Sequence, residues 1–268
     1  MHQFTSKHFG MTIAAAAVLF ISFTGAAAAS DRWCEEQYSS DHETFCEVRE
    51  FSLAASRAVI EVDAAPNGGI RVEGWDRDEI LIEAKVSGRG DSMGEAKAIA
   101  SEVRIDVSGV IRADGPRSSR HSSWSVSYRL RVPHQSDLSL ESHNGGIRIA
   151  DVQGNVDFRT VNGGIHLDGM GGDVQGRTSN GGLRINLAGN SWDGSGLDVK
   201  TQNGGIRLEI PEDYNAHLET GTVNGGMEID FPVTLQGRIG RELELDLGKG
   251  GQTIRLMTTN GGVKIRRM

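Results

Sequence analysis

The chain has 268 residues, 36 of them glycine and only 5 proline, and a formal net charge of −8. Glycine at this level without a collagen period predicts many tight turns. The acidic balance argues against nucleic acid as a partner, though it leaves room for a local basic face.

The N-terminal segment, 1–29, reads as a signal peptide. Lys7 is the only Lys or Arg before residue 32, and an apolar run follows from Met11 to Phe23. That run is shorter than the roughly 20 residues a membrane span needs. Ala27 and Ala29 then fit the small-x-small cleavage pattern with Ser30 as the first mature residue; cleavage after Ala28 is the alternative. Removing Lys7 and no acid takes the charge from −8 to −9. No transmembrane segment is expected after signal removal, so the expected location is the periplasm, or outside the cell at its surface.

A short segment, 30–50, carries both cysteines, Cys34 and Cys46. In an oxidising compartment the pair is most simply a disulfide, stabilising by about 3 kcal/mol in the chain-entropy picture. His42 lies between them, but no further ligand has a persuasive spacing, so no metal and no cofactor is expected.

The rest, 51–268, reads as one β-repeat domain. Arg57 to Asp63, Gly69 to Glu73 and Glu79 to Val86 alternate as strands. Ser92 to Glu102 is the one helical stretch. Val103 to Val107 and Trp124 to Val132 are strands again, around the polar loop Asp114 to Ser123. Residues 51–135 either continue the architecture of the second half with larger insertions or form a separate sheet.

From there the chain repeats itself. Asn-Gly-Gly begins at Asn67, Asn144, Asn162, Asn180, Asn203, Asn224 and Asn260, with later steps of 18, 18, 23, 21 and 36. The shared pattern is apolar, x, apolar, x, Thr or Ser, x, Asn, Gly, Gly, apolar, x, apolar. Period two on both sides of the glycines means strand, turn, strand. A hairpin with Asn-Gly as its turn is one reading. A parallel β-solenoid with coils of ~18 residues, rising about 4.8 Å each, explains better why the same Thr and Asn return to the same corner. The asparagines would then form a ladder, and the two glycines would supply positive φ at the corner. Gly189 to Gly196 is an inserted loop, and the 36-residue step hides a degenerate coil around Phe231 to Gly248. The last motif reaches Ile265, leaving an open end of the stack.

The repeated Thr-x-Asn-Gly-Gly-Ile stretches, together with Cys46-Glu47-Val48-Arg49-Glu50, resemble the bacterial "putative adhesin" β-strand-repeat family, a domain of unknown function. The resemblance covers Phe51 to Met268. It implies a β-solenoid on the cell envelope or outside it and offers no catalytic residues to carry over.

Stacked coils line up outward side chains. Arg159, Arg177 and Lys200 fall three residues before their asparagines, and Arg148, Arg184 and Arg207 fall just after Gly-Gly-Ile or Gly-Gly-Leu, in a column that also holds His166, Glu228 and Lys264. Together they are the candidate face for an anionic ligand; the bland alternative is a solvated surface relieved by Asp157 and Asp198. Asp151 and Asp168 are the carboxylate pair that an enzyme acting on polysaccharide would need, without other catalytic motifs around them. His121, His134, His143 and His166 read as surface residues. Trp192 is the best exposed aromatic for a sugar platform; Trp75 and Trp124 fit the ends of the core. The expected function is therefore a non-catalytic exported adhesion or envelope-binding module, whose partner is an anionic envelope polymer or another envelope protein. A self-assembling structural envelope protein is the alternative, and a polysaccharide-acting enzyme the third.

Overall fold

The structure, a computed structural model, describes residues 33–34, 42–231 and 241–268; the expected signal peptide, 1–29, lies outside the described residues. In chain order the first half forms β1 (Glu43–Ala54), β2 (Ile60–Asp63), β3 (Ile70–Trp75), β4 (Glu79–Gly90), α1 (Met93–Glu102), β5 (Arg104–Asp106), β6 (Ile111–Asp114) and β7 (Ser123–Pro133). The repeats follow as pairs of strands: β8 (Leu138–Asn144) with β9 (Ile147–Ala150), β10 (Gln153–Asn162) with β11 (Ile165–Asp168), β12 (Gly171–Asn180) with β13 (Leu183–Asn186), β14 (Gly196–Asn203) with β15 (Ile206–Ile210), and β16 (Ala216–Asn224) with β17 (Met227–Ile229). Then come β18 (Glu242–Leu247) and the last pair, β19 (Thr253–Asn260) with β20 (Val263–Arg267).

Alternation decides which residues face in. β10 buries Val156, Phe158 and Thr160 and exposes Asp157 and Arg159; past the corner, β11 buries Ile165 and Leu167 in the same core. Each coil pairs in parallel and in register with its neighbours. Val156, for example, lies between Leu138 and Val174. The result is a parallel β-solenoid of two ten-stranded sheets packed face to face. Sheet A runs β1-β4-β7-β3-β9-β11-β13-β15-β20-β17, and sheet B runs β18-β16-β19-β14-β12-β10-β8-β2-β6-β5. The hairpin reading of Asn-Gly-Gly is excluded by this parallel pairing.

The corners hold by stacked hydrogen bonds. Each asparagine amide donates to the side-chain oxygen of the asparagine on the neighbouring coil: Asn144 to Asn67 at 2.9 Å, Asn162 to Asn144 at 2.8 Å, Asn180 to Asn162 at 2.8 Å, and so on through Asn203, Asn260 and Asn224. One row inward, the buried Thr160 hydroxyl donates to the Gly145 carbonyl at 2.8 Å, and Thr178, Thr201, Thr258 and Thr222 repeat the bond.

The glycines act differently from the expectation. None of the motif glycines lies in the left-handed region; that backbone belongs to the opposite corner, at Asp151 (φ 56°), Gly169 (φ 57°) and Gly172 (φ 97°). The reason for glycine in the motif is close approach. A Cβ on Gly163 would sit 2.1 Å from the Gly145 carbonyl oxygen below it, and one on Gly181 2.0 Å from that of Gly163. A copy that lacks an apolar residue has a similar cause: at Gly176, Phe158 from the adjacent coil fills the place a side chain would take, 1.9 Å from a built Cβ.

The two ends depart from the simple stack. The Asn67 motif, with β2 in sheet B and β3 in sheet A, stacks on β8 and β9, so the strands of the first half continue the coil stack of the second. Beyond it, β7 lies parallel to β3, and β4 and β1 add antiparallel strands. β1 runs through residue 50, so the cysteine-bearing segment and the repeat domain share a sheet. Helix α1, capped by the Ser92 hydroxyl, packs on this extension, and Arg49 of β1 donates to its last carbonyls at Ala100 (2.9 Å) and Val103 (2.5 Å).

At the other end the chain doubles back. β18 pairs antiparallel with β16, so the described part of the expected degenerate coil is an edge strand; 232–240 lie outside the described residues. The last motif then inserts between its predecessors: β19 lies between β14 and β16, and β20 between β15 and β17. The end of the chain is therefore not the end of the stack.

Candidate anionic-ligand face

Register turns the position after Gly-Gly-Ile into a straight row across sheet A. From β7 to β20 it reads Arg129, Arg71, Arg148, His166, Arg184, Arg207 and Lys264, with Glu83 and Glu228 closing the two ends. Neighbouring strands lie about 4.8 Å apart, so seven strands give a row of roughly 29 Å. Lys264 pairs with Glu228 at 2.6 Å, and Arg129 stacks on the Trp33 ring at 3.7 Å. Arg71, Arg148, Arg184 and Arg207 are exposed, and no ion pair is recorded for them among the described residues.

His166 registers the resulting field. Burial lowers its pKa, and the Arg148 and Arg184 guanidiniums on either side lower it further, against the opposing carboxylates of Asp168 and Glu209. Its Nε2 is buried without a hydrogen-bond partner. It is thus a half-buried member of the row rather than a plain surface histidine.

The other basic residues lie elsewhere. Arg159, Arg177 and Lys200 do align on sheet B, between Glu141 and Met257. The two sheets share one core and their outer faces point in opposite directions, so the six residues form two rows on two faces, not one. The sheet B row is shorter, and Asp198 pairs with Lys200 at 3.1 Å. Arg71 could have been found from its own motif, Asn67-Gly68-Gly69-Ile70-Arg71. Arg129 has no motif and joins the row only through β7 pairing.

The remaining candidates have ordinary roles. Cys34 and Cys46 form a disulfide with Cα atoms 5.6 Å apart. Trp192 is no exposed platform: it is 5% exposed and donates its indole N–H to the Gly172 carbonyl at 2.9 Å. Trp75 and Trp124 also spend their N–H groups on backbone carbonyls, of Glu79 and Pro116. Asp151 sits at the positive-φ corner and Asp168 beside the Asn186 amide. The polar cleft of about 280 Å³ on the repeat surface is lined by Asp173 and Asp193 and by neither of them.

A family model described as Toastrack DUF4097 matches residues 67–266. The chain belongs to the Toastrack family. The match takes in every Asn-Gly-Gly copy, and the Toastrack domain is one of unknown function, as the repeat resemblance implied. No curated protein matches the chain. Among solved structures, a "putative cell adhesion protein" from Clostridium sporogenes aligns at 10% identity with a TM-score of 0.45, over 83% of this chain and 100% of its own. A "putative adhesin" from Bacteroides fragilis aligns at 10% identity with a TM-score of 0.36, over 83% and 97%. Among the described residues of this Toastrack chain, no helix is long and apolar enough to cross a membrane.

Proposed function

We propose that this Toastrack chain is a non-catalytic exported module that holds an anionic polymer of the cell envelope, an acidic polysaccharide or lipopolysaccharide, along the outer face of sheet A. The observation that carries the proposal is the Arg71–Arg148–His166–Arg184–Arg207–Lys264 row. Like charges directly opposite on paired strands repel. Arg71 lies opposite Arg148 and Arg184 opposite Arg207, each pair about 5 Å apart and inside the ~8 Å Debye length at physiological salt, so dissolved ions screen each pair only in part. A chain of carboxylates or phosphates laid along the row would remove that repulsion, and guanidinium suits both groups through paired hydrogen bonds. The chain as a whole is acidic, so the row is a local feature and not general basicity. The signal segment and the disulfide support export.

The test is binding of the mature chain to envelope fractions and to an acidic polysaccharide at low and high salt. Arg148→Gln/Arg184→Gln/Arg207→Gln on sheet A should abolish salt-sensitive binding. Arg159→Gln/Arg177→Gln/Lys200→Gln, on the opposite face, should leave it nearly intact. Binding that ignores salt, or that survives the first triple variant, would overturn the proposal. A second readout is the His166 titration followed by NMR: its pKa should rise when Arg148 and Arg184 are neutralised, and rise likewise when the polymer binds.

The self-assembly alternative has less support. β18 presents Glu242, Glu244 and Asp246 outward on the sheet B edge, and charged edges resist strand addition.

A further inference from the structure

Three side chains far apart in sequence meet at one end of the antiparallel extension. Glu43 of β1 lies opposite Gly90 of β4, and Arg89 of β4 lies opposite Ser123 of β7. Carrying both registers past the strand ends sets His42 beside Asp91 and Asp91 beside His121. Their atoms agree: His42 Nδ1 is 3.4 Å from Asp91 Oδ1, and His121 Nδ1 is 3.5 Å from the same oxygen. One ligand atom from each of the three lies within 4.8 Å of the other two. The imidazole centroids are 5.9 Å apart with the rings inclined at 67°.

Both contacts are longer than a hydrogen bond, within an ion pair's reach, and near the separation of two ligands on one metal ion. N–H···O bonds bring heavy atoms to about 2.7–3.2 Å, closer than either contact. Ligands about 2.0–2.1 Å from a tetrahedral zinc ion stand roughly 3.3 Å from one another, which is what the two contacts approach. Two imidazoles and one carboxylate also suit zinc and its nitrogen-preferring neighbours, whereas calcium and magnesium take oxygen ligands.

The surroundings hold each ligand in place. The Asp91 N–H donates to Glu95 Oε2 at 2.9 Å, tying its turn to the start of α1. The His121 N–H donates to the Ser119 hydroxyl at 3.2 Å. His42 lies on the chain between the two disulfide-bonded cysteines. Its side chain is 23% exposed, and those of Asp91 and His121 are 59% and 63% exposed, so an ion can enter from solvent.

We propose that His42, Asp91 and His121 bind one divalent transition-metal ion of the zinc type, with a fourth position open to water or to an external anionic ligand. The ion would cross-link the ends of β1, β4 and β7. This site is separate from the sheet A row, and either can fail without the other.

The test is calorimetric titration of the untagged, disulfide-bonded chain with zinc chloride in a non-chelating buffer. One ion per chain is expected. His121→Ala and Asp91→Asn change exposed side chains, and each should weaken binding by more than about tenfold, since removing even an outer partner of a metal ligand costs that much. His217→Ala, at the far end of the molecule, should leave zinc binding unchanged. Zinc should raise the melting temperature of the parent chain and leave that of both ligand variants unmoved. Cobalt in place of zinc should give the strong visible absorption of a four-coordinate site, lost in His121→Ala. Millimolar or weaker binding, or equal affinity in the parent and both ligand variants, would overturn the proposal.

Discussion

At the scale of single residues, each motif position answers to the coil beside it. Gly163 has the Gly145 carbonyl oxygen 2.1 Å from where a Cβ would be, whereas Gly226, on the terminal coil, has nothing within 4 Å. Gly163→Ala should therefore destabilise by about 3 kcal/mol or more, and Gly226→Ala should stay within about 0.5 kcal/mol; paired urea melts would measure the difference. Thr160 is 1% exposed, and Thr160→Val leaves the Gly145 carbonyl without its 2.8 Å donor. The expected loss is about 1–3 kcal/mol. Asn162→Ala breaks two exposed ladder bonds, and Asn224→Ala, at the end of the ladder, only one. The first should cost about 1 kcal/mol and the second less. A melting temperature unmoved by Asn162→Ala would show that the ladder contributes alignment rather than stability.

At the scale of elements, β18 is held at an edge of sheet B by a single antiparallel partner. His217 of β16 lies directly opposite Asp246 of β18, and its Nδ1 is 2.7 Å from the carboxylate. The hydrogen bond to Asp246 raises the His217 pKa, a little burial opposes it, and the Asp246, Glu244 and Glu219 charges reinforce it. Because the folded value is the higher one, the stabilisation is fully present below the unfolded histidine pKa of about 6.5. It is lost as pH rises through the folded pKa. The melting advantage of the parent chain over His217→Gln should thus be largest near pH ~6 and vanish near pH ~9. A difference that grew with pH would mean that His217 serves β18 as a neutral group.

At the scale of the whole molecule, the doubled-back C-terminus changes what truncation does. In a simple solenoid, trimming the last motif removes one coil and one interface. Here β19 and β20 are an interior layer, bonded on both sides. A chain ending at Gly251 should lose the anchorage of everything from Pro211 onward. Limited proteolysis should then cut 211–251 rapidly while 43–210 stay protected; equal protection of both parts would contradict the coil order. The inserted layer also moves the outer edge of the stack from the last motif to β17 in sheet A and β18 in sheet B. The acidic residues of β18 on that edge resist strand addition and predict a monomer across a concentration series in light scattering.

The repeat alone determined a good deal. Period-two alternation fixed which residues of each copy are buried, and the recurring Thr and Asn implied one corner stacked in register. That much is legible because a parallel stack imposes the same local environment on every coil. Three decisions belonged to tertiary structure. The motif glycines answer to a carbonyl on another coil, which no local backbone rule reports. The place of the last coil, between β14 and β16, departs from sequence order and rests on pairing between strands distant in the chain. The candidate surfaces depend on pairing between strands distant in the chain. That pairing brings Arg71 and Arg129 into the sheet A row and gathers His42, Asp91 and His121. It also places Arg159, Arg177 and Lys200 on the opposite face, because the two strands of each coil belong to different sheets whose side chains point outward in opposite directions.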